Sequence, residues 1–403
     1  MLERYLEYKL CGAAKTDPVV ILHGARAVGK TTLAEQLIAK GIYNELRTFL
    51  DPNELLAAKT DPTRYINSLP HGTIIDEAQL AENITLPIKA LIDKSPEPGK
   101  FMLTGSSRLK RNNLGGSDPL AGRAQPDFIL HPLTITEINE TKNIDTLSKL
   151  FHQKFDTLDT SSNNTRTDIE MISAGGLPGI YRIPQSEDRN LRFEQYYQKV
   201  LELPDFEQTD IRLITSLFRY LAGYTGGILN TDKFSRANEL NRATVNKYLG
   251  ILQDTMLITR LPAWSLTPSK TETSRPKLYC FDSGLATTLS KSVLSKPEEF
   301  GKLFETYAVN NIVAHCEWNR NYKPYHWRYR QNSEIDLIIQ NRSGDIIAIE
   351  IKSSSSLTED SFKHLKTFQK KYPTGFKAGY VLYNGAKILP FGKNLWAIPI
   401  TIF

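Results

Sequence analysis

Cysteine is scarce in this chain. Only three of its 403 residues are cysteines, Cys11, Cys280 and Cys316. Three scattered thiols make no disulfide framework and no cysteine metal site, and such usage fits a reducing cytoplasm. The seven histidines show no ligand spacing either. No apolar run approaches the roughly 20 residues that a membrane-spanning helix needs, so no membrane partner is expected. The N-terminus, MLERYLEYKL, reads as an amphipathic helix and lacks a signal-peptide cleavage pattern. No internal repeat is found. Charge of one sign is not in large excess: the formal net charge is +6, which permits a nucleic-acid partner without requiring one. With 40% hydrophobic and 23% charged residues the composition is that of a globular chain, long enough for more than one core.

Against these absences stands GARAVGKTT, Gly24 to Thr32. It reads G-x-x-x-x-G-K-T, with the apolar run Val19–Leu22 before it and the helical spacing of Leu33–Ala39 after it. Strand, glycine loop and helix form the context in which backbone N–H groups and a helix N-terminus cradle phosphates. The expected nucleotide-binding set is Gly24, Ala25, Ala27, Val28, Gly29, Lys30, Thr31 and Thr32. Lys30 would reach the β- and γ-phosphates of ATP, and the Thr31 hydroxyl would hold Mg²⁺. Further on, the apolar strand Thr73–Ile75 ends in Asp76 and Glu77, a Walker B pattern. Asp76 would hold the Mg²⁺ through water, and Glu77 would orient or deprotonate the attacking water. Thr104, Ser106 and Ser107 close a neighbouring strand, where a hydroxyl can sense the γ-phosphate. Arg123, in Leu120-Ala121-Gly122-Arg123, is the candidate arginine that neutralises transition-state charge from an adjacent subunit.

Strands at Val19–Leu22, Leu46–Leu50, Thr73–Glu77, Phe101–Ser107 and Phe128–Leu130 alternate with helical stretches, which predicts an α/β fold with a parallel sheet. From about Thr141 the character changes, and Asp159–Thr165 reads as a loop. Glu170–Phe218 is mostly helical and broken by a turn, Gly175-Gly176-Leu177-Pro178-Gly179. Two short helices, Thr231–Leu240 and Arg242–Leu252, precede two strands, Met256–Leu261 and Lys277–Phe281, the layout of a winged helix. Arg242, Asn246 and Lys247 lie on one side of the second helix, an arrangement that serves DNA reading and protein packing alike.

The last hundred residues carry a second set of carboxylates. Asp336 opens one strand and Glu350-Ile351-Lys352 ends the next, joined by the turn Asn341–Asp345. Residues two apart on a strand share a face, so Glu350 and Lys352 point together and the hairpin returns Asp336 to them. Glu305, in a preceding helix, is a candidate third carboxylate. Such a set suits metal-assisted phosphodiester hydrolysis: Glu305, Asp336 and Glu350 as ligands for Mg²⁺ or Mn²⁺, and Lys352 beside the scissile phosphate. An exposed ion pair on a sheet gives the same spacing. The run Lys323, Tyr325, Trp327, Arg328, Tyr329, Arg330 reads either as an amphipathic strand or as a grip on nucleic acid.

Taken together, GARAVGKTT, TIIDEAQ, LTGSS, LAGR, HPLTITE, GGLPG, ATVNKYLGILQDTMLITRL, KLYCFDSGL, EIDLII and IEIKSS resemble the prokaryotic AAA-type ATPases that carry a C-terminal winged helix and a PD-(D/E)xK restriction-endonuclease-like domain. The resemblance spans nearly the whole chain. It implies a core of the Orc- and STAND-like branch over residues 1–150, a helical region over 151–220, a winged helix over 221–290 and a nuclease-like domain over 291–403. It also implies that Glu77, Arg123, Asp336, Glu350 and Lys352 are catalytic. One departure is Ile180 after GGLPG, where relatives more often have an aromatic before the proline and an acidic residue after it. The expected function is ATP hydrolysis coupled to metal-dependent DNA binding and cleavage by a homo-oligomer. The alternative is an ATP-driven switch that binds DNA or protein through a non-cleaving nuclease fold.

Overall fold

The computed structural model describes residues 2–403 apart from 108, 110–119, 121–126, 161–167, 229, 238–239, 268, 270, 272–273 and 330–332. Two compact units emerge. One is Arg4–His131 with Asp254–Met256, and the other is chiefly Pro132–Gln253 and Leu257–Phe403.

In the first unit the apolar runs become strands: β1 (Val19–His23), β2 (Glu45–Thr48), β3 (Thr73–Asp76), β4 (Phe101–Gly105) and β5 (Phe128–Ile129). Their order is β2-β3-β4-β1-β5, and every pairing is parallel. Every residue of β1, β3 and β4 is buried, as expected of parallel strands covered on both faces. Helices Pro52–Thr60 and Pro62–Ser68 begin where Asp51 and Asp61 accept backbone N–H bonds from Asn53 and Arg64, with proline at the first position. Ile21, Phe49, Ile75, Ile88 and Leu103 meet in the core. This order sets the C-terminal ends of β1, β3 and β4 side by side, where open parallel sheets place ligands.

In the second unit, helices Asp168–Ala174, Ser186–Leu201 and Ile211–Gly223 surround the helix Ser283–Ser290. GGLPG and FDSGL explain each other here. Buried Asp282 accepts N–H bonds from Gly176 at 2.7 Å and Leu285 at 2.9 Å, so one carboxylate caps a helix and ties down the glycine turn. Gly175 has φ +62, and a Cβ there would lie 2.2 Å from Asp282 Oδ1. The HPLTITE segment is a capping box: Thr134 and Glu137 bond reciprocally, and Ile135 N–H donates to Asn311 Oδ1 at 2.7 Å.

Helices Thr231–Ala237 and Arg242–Asp254 fall in the chain between β6 (Gly227–Ile228) and the strands β7 (Ile258–Leu261) and β8 (Lys277–Cys280), which together form a small antiparallel sheet in the order β6-β8-β7. Strand β6, which comes before both helices, was not expected. A six-stranded mixed sheet follows, formed by β9 (Tyr322–Tyr329), β10 (Ser333–Asn341), β11 (Ile346–Lys352), β12 (Phe376–Tyr383), β13 (Leu389–Gly392) and β14 (Leu395–Pro399). Its order is β13-β14-β12-β11-β10-β9, and the 22-residue helix Pro297–Trp318 lies against it. Strand β10 runs antiparallel to β11 through the turn at Gly344, whose φ is +86. Trp327 packs edge-on to Phe368 in the core beside Trp264, so this ring of the basic–aromatic run is committed to packing. Arg330 lies outside the described residues.

Candidate functional site

Glycine and one alanine set the shape of the first site. Gly29 has φ +99 and Ala27 φ +61, so the loop turns sharply before helix Lys30–Ala39 and leaves its N-terminal N–H groups unpaired by the helix itself. Gly24 is required for packing: a Cβ there would lie 2.7 Å from Leu130 O. Lys30 is buried, and its Nζ donates to Gly24 O at 2.8 Å and Ala25 O at 3.2 Å, carbonyls of its own loop. Burial lowers the Lys30 ammonium below its ordinary pKa, against the pull of Glu77 and Asp76. Arg4, which sequence reasoning did not single out, braces the loop by donating to Val28 O at 2.7 Å and His131 O at 2.6 Å. No spacing pattern links Arg4 to the loop it holds.

The strand ends supply the carboxylates. Thr31 Oγ1 donates to Asp76 Oδ2 at 3.0 Å, and Thr104 Oγ1 donates to Asp76 Oδ1. Asp76 is thereby held beside the start of the helix. Glu77 leaves β3 in the left-handed region, φ +55, which turns its side chain off the strand. Ser106 Oγ donates to Glu77 Oε2 at 2.8 Å, and Gln79 Nε2 reaches both that carboxylate and Ser106 Oγ, the latter at 3.0 Å. Of the three small polar residues expected as phosphate sensors, Thr104 thus orients Asp76 and Ser106 orients Glu77.

The second unit brings Glu305, Asp336, Glu350 and Lys352 together. Leu337 pairs with Ile349, which sets Asp336 beside Glu350, and Ile351 N–H donates to Asp336 Oδ2 at 2.9 Å. Lys352 Nζ lies 3.4 Å from Glu350 Oε2. A residue the sequence reading passed over joins them. Lys277, on β8, reaches Glu334 at 2.6 Å, Glu305 at 3.1 Å and Asp336 at 3.2 Å. Tyr279, two residues along the same strand, donates to Glu305 Oε1 at 2.7 Å. Burial, then Asp336, raises Glu305 to about 7 and Glu350 well above the carboxylate range. Burial acts the same way on Asp336 but is outweighed by Lys277, Lys352 and the Ile351 N–H, which lower it. Among the described residues no group of three or more His, Cys, Asp or Glu side chains is arranged to hold a metal ion.

The AAA domain family matches residues 16–139. This stretch is an AAA-type ATPase domain. Two families described as domains of unknown function match the remainder, DUF8612 over residues 167–296 and DUF4143 over 300–403. The chain is 27% identical over 357 residues to uncharacterized proteins of Mycobacterium tuberculosis and Mycobacterium bovis, covering 86% of this chain and 73% of each relative. It is also similar to the Walker-type ATPase of Pyrococcus abyssi, at 18% identity and a TM-score of 0.42, covering 72% of this chain and 96% of that one.

Within the AAA domain the structure brings Lys30, Thr31, Asp76, Glu77 and Ser106 to the same ends of the sheet. Arg123 lies outside the described residues. Elsewhere, Arg242 is paired with Asp232 and Lys247 Nζ lies 3.3 Å from Gln208 O, so two of the three polar groups on that helix face are engaged within the chain. Among the described residues no helix is long and apolar enough to cross a membrane.

Proposed function

We propose that this chain is an ATP-hydrolysing switch. The observation that carries the reading is the bond from Thr31 to Asp76 beside a sharply turned loop with a buried lysine. The residues present fit ATP with Mg²⁺. Among the described residues Lys30 has only its own loop carbonyls to give up before meeting phosphate oxygens, and Thr31 and Asp76 offer hard oxygen donors suited to Mg²⁺. Bound Mg²⁺ supplies neutralisation of charge on the β- and γ-phosphates. Gly24, Ala25, Ala27, Val28, Gly29 and Thr32 line the phosphate cradle. Glu77, oriented by Ser106 and Gln79, acts on the attacking water, with Arg123 completing the site from a second copy of the chain.

The helix pair and small sheet at 227–280 then form a winged helix that passes the nucleotide state to DNA or protein, and the last hundred residues form a nuclease-like fold. A second reading, DNA cleavage at Asp336, Glu350 and Lys352 with Glu305, is favoured by the meeting of those four side chains. The test of the switch is ATP turnover in Lys30→Ala and Glu77→Gln. The first loses hydrolysis and binds nucleotide weakly, while the second binds ATP and fails to hydrolyse it. Normal turnover in both removes the assignment. Incubating the wild type with plasmid and linear DNA and Mg²⁺ or Mn²⁺, with and without ATP, separates the readings: metal-dependent cutting, lost in Asp336→Ala, establishes the second.

A further inference from the structure

The acidic cluster of the second unit already contains a cation. A lysine ammonium has three N–H donors. The ammonium of Lys277 donates to Glu305 at 3.1 Å and Asp336 at 3.2 Å and lies 2.6 Å from Glu334, and the side chain is 3% exposed. We propose that Lys277 is the resident cation of this cluster, and that it and a divalent ion are mutually exclusive occupants.

Geometry sets the exclusion. Glu305 and Asp336 stand at hydrogen-bond distance from one nitrogen, whereas Mg²⁺ draws its oxygens to about 2.0–2.1 Å. Both carboxylates would have to move inward by about 1 Å around a point the ammonium holds. Like charge adds to the steric conflict, because a metal bound beside an uncleared Lys277 faces a buried positive neighbour. A further acceptor is held ready: among the described residues nothing donates a hydrogen bond to the buried Glu350 Oε1, while its other oxygen faces Lys352 at 3.4 Å. The cluster therefore has the donor chemistry for a hard cation and a side chain standing in for one. Lys277 and Tyr279 both come from β8, whereas Glu305 belongs to the long helix and Asp336 and Glu350 to the large sheet. The position of the small sheet thus decides which cation the cluster holds.

Calorimetric titration with Mn²⁺, without nucleotide, tests this independently of ATP turnover and of cleavage. Wild type shows no Mn²⁺ site that Asp336→Asn removes. Lys277→Met, close in length but uncharged, gains one site at least tenfold tighter than any wild-type binding, and Lys277→Met with Asp336→Asn loses it. Lys277→Gln, which keeps hydrogen bonding for a protein that tolerates Met poorly, behaves as Lys277→Met does. A wild-type site abolished by Asp336→Asn overturns the proposal whatever the variants do. So does a folded Lys277→Met or Lys277→Gln, judged by circular dichroism, that gains no site.

Discussion

Replacing Asp282 with alanine tests the joint between the two glycine-bearing motifs. The carboxylate receives buried N–H bonds from Gly176 and Leu285, and burial outweighs these and other backbone donors to raise its pKa. A buried carboxylate is not in itself a gain in stability, but its removal leaves its donors behind. Each orphaned buried N–H costs about 1–3 kcal/mol, so two cost about 2–6 kcal/mol. For a unit of this size 1 kcal/mol moves Tm by about 2–4 °C, which puts the expected loss at roughly 5–20 °C. Scanning calorimetry with and without ATP reads it, because a ligand raises only the transition of the part it binds. Asp282→Asn retains one acceptor oxygen and falls by about half as much. Gly175→Ala destabilises as well, through its φ of +62 and its clash with Asp282 Oδ1, and combining it with Asp282→Ala costs less than the sum because the clash has gone. A drop below about 2 °C for Asp282→Ala, or strict additivity of the pair, refutes the reasoning.

Three further outcomes follow from the same geometry. Ser106→Ala removes one of the groups that orient Glu77 and lowers kcat on the order of tenfold with KM unchanged, as steady-state ATPase kinetics will show; unchanged kcat assigns Ser106 a packing role. Arg123→Ala abolishes hydrolysis, and mixing it with Lys30→Ala restores part of it if the arginine acts across subunits; normal turnover in Arg123→Ala alone removes the role. Burial lowers His315 to about 3, so its folded-state pKa lies below the ordinary value of 6.5, and the stability it contributes is complete above about pH 6.5 and is lost as pH falls toward 3. At pH 5 the loss is about 2 kcal/mol, and the difference between wild-type and His315→Asn denaturation curves across pH 7 to 4 isolates it; parallel curves contradict it.

Local pattern carried the AAA domain well. VVILH, TIID and FMLTG are continuous apolar strands because both faces of a parallel sheet are covered, and GARAVGKTT follows directly from one of them. Asp336, Glu350 and Lys352 were legible as well, since a hairpin turn and strand alternation are local rules. Lys277 was not. Its carboxylates lie 28 and 59 residues away, and within KLYCF it reads as a strand-end lysine facing water. Lys277 only opens the apolar run, after Arg275 and Pro276, so nothing local marked it as buried. The bond from Gly176 to Asp282 spans 106 positions, so GGLPG looked like an ordinary turn. Glu77 in the left-handed region and Arg4 against Val28 are likewise products of tertiary packing that no periodicity encodes.

The strand order of the AAA domain has a consequence for synthesis. Strand β1 lies inside its sheet, between β4 and β5, and both neighbours are made much later in the chain. Val19 must wait about 80 residues for its partner Phe101, which at about 5–20 residues per second is about 4–16 s on the ribosome. Through that interval VVILH is an apolar segment with both backbone edges bare, the kind of segment that chaperones hold and that aggregates when they do not. Added ATP cannot rescue a nascent chain at this stage, because the loop that follows β1 has no sheet to stand on until β4 arrives.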